Sequence, residues 1–288
     1  MKKLFSFLAL LATSATALAN VVKMDLSEAL RVHMIEVAAS TTGQKYYQRA
    51  LHLKLNNKSG STIQLTVNQG AIFQPAEKGY QPLVCAGAEM ITLQPFKGGE
   101  LDVQTFCADA DESAPGSALV YNFSKTGSDT LVKLLAYIKK NFLFDELGQK
   151  AFWVLTNGNS LSEVYDPARE MQSAKLAEYI VSIAGVPRPS YNVNVGLSTT
   201  PGTAVYSPKP LSIHAKFEQL LDAPKTLTLG VFDGEGKLVQ EVFTNKQFGR
   251  AGHRFTVTFN SSDAPAGKYY IRLKEGETVL EERMVEVR

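Results

Sequence analysis

Apolar residues recur at every second position along most of this chain. In "RALHLKLNN" Leu51, Leu53 and Leu55 share one face, and in "TIQLTVNQG" Ile63, Leu65 and Val67 do the same. The turn-forming Asn57-Lys58-Ser59-Gly60 lies between them, so the pair is expected to form a β-hairpin. Further alternating runs follow at "PLVCAG", "EMITLQPF" and "GELDVQTFCA", separated by glycine or charged turns at a spacing typical of a β-sandwich. Ahead of them, "KMDLSEALRVHMIEVAAS" opens as a short helix with Asp25 or Ser27 as its N-cap and turns strand-like from His33.

The period changes after residue 127. Ser128 or Asp129 can cap a helix over "TLVKLLAYIKKN", whose Leu131, Leu134, Leu135 and Ile138 fall on one stripe. Lys139 and Lys140 sit in its last turn, where they complement the negative end of the helix dipole. A second helix, "DELGQKAFWVLTNG", ends at Asn157-Gly158, and a third, "EMQSAKLAEYIVSIAG", ends at Gly185 with Pro187 behind it. Residues 186–210 concentrate Pro, Ser, Thr and Gly, which is linker composition. Beyond it, "LSIHAKFE", "TLTLGVFD", "KLVQEVF", "HRFTVTFN", "KYYIRLKE" and "VLEERMVEV" alternate again. The expected fold is mainly β with some α: an N-terminal β-sandwich with a helical cover over residues 20–185, a linker over 186–210, and a C-terminal immunoglobulin-like β-sandwich over 211–288.

Composition adds a compartment. The start "MKKLFSFLALLATSATALAN" has a basic pair at Lys2-Lys3, an apolar run from Leu4 to Ala12 and the small-residue series Ala17-Leu18-Ala19. That reads as a signal peptide over residues 1–19. The product is expected to be exported, to the periplasm, the outer surface or the medium, with no transmembrane anchor. With 44% hydrophobic residues the chain has enough apolar material for a sizeable core. Thirty Lys+Arg against 28 Asp+Glu leave a net charge of +2, and no basic run interleaves with aromatics. Nucleic acid is therefore not an expected partner.

Two resemblances bear on function. Asp233-Gly234, Gly236-Lys237, Gly252-His253, Ala266-Gly267-Lys268-Tyr269-Tyr270 and Arg272-Leu273 together resemble the FlgD-like immunoglobulin module and the related C-terminal sorting domains of type IX secretion. That resemblance implies a display or sorting role for about the last 80 residues. In the first half, Phe106-Cys107 followed by Gln149-Lys150-Ala151-Phe152-Trp153 is similar to the aromatic-Cys and Gln-x-x-apolar-Trp pair of bacterial surface thioester domains. The similarity implies that Cys107 supplies the sulfur and Gln149 the acyl group of a stored electrophile, which a partner's amine attacks.

The residues themselves leave alternatives open. Cys85 and Cys107 are the only cysteines, and an oxidising compartment favours a disulfide between them, which would stabilise by about 3 kcal/mol. A disulfide and a Cys107–Gln149 thioester exclude each other. A cysteine hydrolase would need a base, for which His33 and His52 lie in the same half. Asp109, Asp111 and Glu112 offer alternate carboxylates to a calcium ion, but lack the glycine and terminal Glu of an EF-hand loop. Phe152 and Trp153 can mark a groove or simply belong to the core. No zinc spacing is present and no cofactor is expected. The sequence reading is a non-enzymatic surface or secreted protein that binds a protein or glycan at the cell surface. Its alternatives are a thioester adhesin, a cysteine hydrolase and a periplasmic assembly factor. N-terminal sequencing of exported material should begin at Asn20, and a mature chain retaining Met1 would remove the oxidising context.

Overall fold

A computed structural model describes residues 21–288 of the chain. The expected signal peptide lies outside them. In chain order the first part runs β1 (Val21–Asp25), α1 (Leu26–Arg31), β2 (Ile35–Thr42), β3 (Leu51–Asn57), β4 (Thr62–Val67), β5 (Ala71–Pro75), β6 (Leu83–Cys85), β7 (Glu89–Leu93), β8 (Gly98–Val103), β9 (Thr105–Cys107) and β10 (Ser117–Thr126). Three helices follow, α2 (Asp129–Lys140), α3 (Glu146–Thr156) and α4 (Glu170–Ala184). The last part is all β: β11 (Tyr191–Leu197), β12 (Tyr206–Leu220), β13 (Lys225–Phe232), β14 (Leu238–Phe248), β15 (Gly252–Asn260), β16 (Gly267–Glu275) and β17 (Thr278–Val287). The protein is mainly β with some helix, as the patterning predicts.

The alternating runs form strands, but two of them pair differently from expectation. β3 and β4 do not make a hairpin: β3 lies in a seven-stranded antiparallel sheet ordered β8-β3-β2-β10-β5-β6-β9, whereas β4 lies in a three-stranded sheet ordered β1-β4-β7. The turn between them is a corner. Asn57 is buried there, and its Nδ2 donates to Ser61 O (2.8 Å) and Gln94 O (3.0 Å), tying the end of β3 to the start of β4 and the end of β7. Leu51, Leu53 and Leu55 from one sheet and Ile63, Leu65 and Val67 from the other all point into one shared core. Alternation dictates which face is inside, not which strand is the neighbour. Only Gln104 separates β8 from β9, although they are the two outermost strands of the seven-stranded sheet, so that sheet is rolled until its ends approach.

The helices begin where their caps predict. Asp25 Oδ1 accepts from Glu28 N (2.8 Å), Ser128 Oγ from Leu131 N (3.4 Å), and Asp145 Oδ1 from Leu147 N (2.9 Å) and Gly148 N (3.1 Å). Gly185 ends α4 in the left-handed region at φ 68°, which glycine adopts without a Cβ penalty. On α2 the stripe Leu131, Leu134, Leu135 and Ile138 is buried, each side chain worth roughly 1.5–3 kcal/mol of transfer free energy.

The expected linker is largely ordered. Within residues 186–210, Tyr191–Leu197 form β11, and β12 has already begun at Tyr206. β11 pairs antiparallel with β12 from Tyr191↔Ala215 to Leu197↔Tyr206. Its apolar residues alternate, but between Pro, Thr and Gly the run is short enough to pass for loop. The six expected C-terminal strands are all present. With β11 they make a sandwich of a three-stranded sheet, β11-β12-β15, and a four-stranded one, β14-β13-β16-β17, closed over a second core that includes Phe217, Leu229, Ile271 and Val285. β14 is exposed along most of both faces and its pairing with β13 shifts register three times. Gly230 lets it lie close, because a Cβ there would meet Leu238 Cδ1 at 2.5 Å and Gln240 O at 2.8 Å.

The connection between β11 and β12, residues 198–205, leaves the second sandwich as a tongue. Val205 at its base is fully buried and belongs to the first core. Among the described residues no helix is long and apolar enough to cross a membrane.

Candidate functional site

Cys107 ends β9, the last strand of its sheet, so one side of its backbone has no strand to pair with. A buried edge must satisfy those groups by other means. Gln149 does so. The Cys107 N–H donates to Gln149 Oε1 (3.0 Å), and Gln149 Nε2 donates to Cys107 O (2.8 Å). A carboxamide carries the same donor and acceptor as a peptide group, so the side chain continues the ladder like one residue of a missing strand. Both residues are fully buried, at 0% exposure. The acyl carbon Cδ, bonded to both atoms of that clasp, is thereby held beside the backbone that carries the thiol.

Several elements fix this arrangement. Asp145 caps α3 through Oδ1, while its Oδ2 accepts from Arg169 Nη1 (2.5 Å), and Arg169 Nε donates to Asp166 (2.7 Å), so the start of the helix is held by charge-assisted bonds. Phe106, on the other face of β9 from Cys107, stacks on Phe152 at 5.5 Å and on Phe144 at 6.2 Å. Gly148 permits the approach: a Cβ there would stand 1.9 Å from Leu143 O and 3.2 Å from Phe106 Cζ. Glycine inside a helix costs about 1 kcal/mol relative to alanine, and here the Leu143 carbonyl of the turn before α3 requires it, with Phe106 of β9 close behind.

The expected disulfide is not formed. Cys85 and Cys107 are both free and buried. The strands β6 and β9 are neighbours, but Cys85 faces Thr105 and Cys107 faces Leu83. The two thiols are thus diagonal neighbours, at a Cα separation of roughly 7–8 Å where a disulfide needs about 4.4–6.8 Å. Two residues of register decide the matter.

Burial pushes both thiols up from their ordinary range, with Glu89 adding to the effect at Cys85 and Asp109 at Cys107. Burial raises the phenols of Tyr46 and Tyr121 as well, and the neighbouring Cys107 contributes to each. Cys107 therefore rests as a neutral thiol beside two neutral phenols. Neither candidate base of the cysteine hydrolase reaches it. His52 Nδ1 lies 2.6 Å from Asp102 Oδ1, His33 stands just beyond the end of α1, and among the described residues no histidine hydrogen-bonds Cys107.

Two other sequence candidates change character. Phe152 and Trp153 line no groove: both are fully buried, because α3 is enclosed on every side, and Trp153 packs between Tyr46 (6.4 Å) and Tyr206 (6.3 Å). The Trp153 Nε1–H finds no partner among the described residues, which costs about 1–3 kcal/mol of desolvation. Asp109, Asp111 and Glu112 do not converge on a cation. Asp109 Oδ1 accepts from Asp111 N (3.0 Å) and Asn157 Nδ2 (3.2 Å), and among the described residues no three His, Cys, Asp or Glu side chains form a metal-binding group.

Sequence reasoning missed Tyr46, Tyr121, Gly148 and Lys150. Lys150 is buried with its Nζ 3.3 Å from Tyr165 O, and burial lowers its pKa. Of the four, only Gly148 left a readable signal, a glycine inside a helical run. No known protein-family model matches the chain, and no curated protein matches it.

Gly148→Ala should force α3 away from the Leu143 carbonyl, disturb both Gln149–Cys107 bonds through that shift and destabilise by about 1–3 kcal/mol in denaturant titration. A variant as stable as the parent would show that the close approach is not needed. The protein should also lose stability in alkali. Thiols and phenols raised by burial stay protonated in the folded state, whereas unfolded thiols titrate near about 8.5 and phenols near about 10, so unfolding releases protons above those values. The contribution of these thiols and phenols should be constant up to about pH 8 and fall on going to about pH 10.5, so stability should drop over that range, less steeply in Cys85→Ala.

Proposed function

We propose that this is an exported surface or secreted protein that acts by attachment rather than turnover. Its first half couples covalently to a partner through a thioester between Cys107 and Gln149, and its immunoglobulin-like second half serves display or sorting. The observation that carries the reading is the pair of hydrogen bonds holding the Gln149 carboxamide on the Cys107 backbone, in a site with 0% exposure.

The clasp offers a hydrogen-bond donor for the bond-forming step. Sγ attacks Cδ, and the oxygen that gains charge is Oε1, which already accepts from the Cys107 N–H. A donor placed where charge develops is the usual source of such stabilisation. The C–N bond then breaks, the thiol proton goes to the departing nitrogen, and ammonia leaves. Burial protects the product from water. A primary amine of the partner, such as a lysine side chain, later attacks Cδ. The C–S bond breaks, an amide forms, and Cys107 recovers its proton from the amine. No cofactor is required. The cysteine hydrolase fares worse, since repeated turnover needs a standing base and among the described residues no histidine hydrogen-bonds the thiol.

Intact-mass measurement of the mature protein without reductant tests the reading. The expected mass is lower than the sequence mass by one ammonia, and methylamine should convert it to an adduct at Gln149. Cys107→Ala should show neither change. An unaltered mass in the parent would reduce Gln149 to a structural staple for the edge of β9.

A further inference from the structure

The tongue over residues 198–205 docks around the Cys107–Gln149 pair. Ala114 N donates to Thr203 O (2.9 Å) and Gly202 N donates to Ala114 O (2.9 Å), so the tongue pairs with the end of the loop that starts at Cys107. Tyr46 Oη donates to Ser198 O (3.1 Å), and the Tyr46 carbonyl accepts from Thr105 Oγ1 (2.9 Å), two residues before Cys107. Tyr206, just past the tongue, lies edge-on to Trp153, one helical turn beyond Gln149, and its Oη donates to Glu163 Oε1 (2.7 Å). Val205 inserts into the first core itself. The second sandwich thus touches the loop behind Cys107, the tyrosine beside it and the helix that carries Gln149.

We propose that the tongue is the closure over this site, and that Ser198, Thr203 and Val205 determine how readily a nucleophile reaches Cys107 and Gln149. While it is docked, the thiol, the acyl carbon and the indole of Trp153 are sealed from solvent. Withdrawal of the tongue releases Ala114, the end of the loop after Cys107, together with the Tyr46 hydroxyl, while Gly79, Gln81 and Asn157 keep the rest of the loop in place. Reactivity of the first half is then set by the second, to which the tongue belongs. The opening breaks the few bonds at Ala114 and Tyr46 and uncovers Val205 and the side of Trp153 beneath Tyr206, a smaller change than global unfolding. For its substrate, a primary amine, the proposal rests on the thioester reading, but the closure itself does not.

The test uses the full mature chain in a Cys85→Ala background, with Val205→Ala and Tyr46→Phe as the variants. Two rates are measured: methylamine incorporation at Gln149 by intact mass, and alkylation of Cys107 by iodoacetamide. In Val205→Ala the rate should rise about tenfold, corresponding to about 1.4 kcal/mol of lost closure free energy, and in Tyr46→Phe by a smaller factor, with unchanged circular dichroism. If the parent mass shows no loss of ammonia, the thioester reading fails, and alkylation of the free Cys107 still reports the closure. Should Val205→Ala fail to fold, Tyr46→Phe keeps the ring and carries the test, together with hydrogen exchange at Ala114 and Gly202. Those two amides should exchange faster in the variant. Parent rates in every folded variant would overturn the proposal.

Discussion

Everything around the site follows from one buried edge. β9 is three residues long, wholly buried and last in its sheet, so the N–H and C=O of Cys107 need a partner that is neither strand nor water. The Gln149 carboxamide is that partner, and each device nearby serves to bring it there. The Asp145 cap and Arg169 fix where α3 starts, Gly148 lets it come close, and the Phe106, Phe144 and Phe152 stack fills the space on the opposite face. A structural staple for this edge demands that arrangement, and the proposed reactive pair would demand the same one.

The two cores are not independent. Besides the tongue, Lys216 of β12 pairs with Glu170 of α4, and the His214 ring lies 4.8 Å from Tyr165. Both ring nitrogens of His214 are met by hydroxyls, Ser212 Oγ at 2.8 Å and Thr258 Oγ1 at 3.1 Å, and burial lowers its pKa, so a neutral ring sits in the seam beside the Lys216–Glu170 ion pair.

How much of this was legible in the sequence depended on the range of the interaction. Alternation in Leu51, Leu53 and Leu55, or in the six C-terminal runs, reports burial residue by residue, and caps such as Asp25 and Ser128 report helix starts. Those are local. Pairing is not: nothing in "LNNKSGSTIQL" says that Asn57 will spend its side chain on Ser61 and Gln94 and send the chain to the other sheet. The disulfide expectation failed on the same ground, since two strand-end cysteines look alike whether they are opposite or two residues out of register. The proximity of Cys107 and Gln149, 42 positions apart, was visible only through resemblance. β11 was hidden by its neighbours, because Pro, Ser and Thr on both sides of "YNVNVGL" gave the segment a loop's composition.

The exposed strand β14 has a consequence for the company the molecule keeps. A long outermost strand with free N–H and C=O groups is a template on which another chain can add, the first step of runaway self-association. Here the three register shifts against β13 interrupt its regular spacing, and Glu241 and Lys246 place charges along it. An incoming strand would meet an irregular ladder and would have to strip water from ionised side chains. That irregularity opposes edge-to-edge pairing between copies wherever the protein is concentrated.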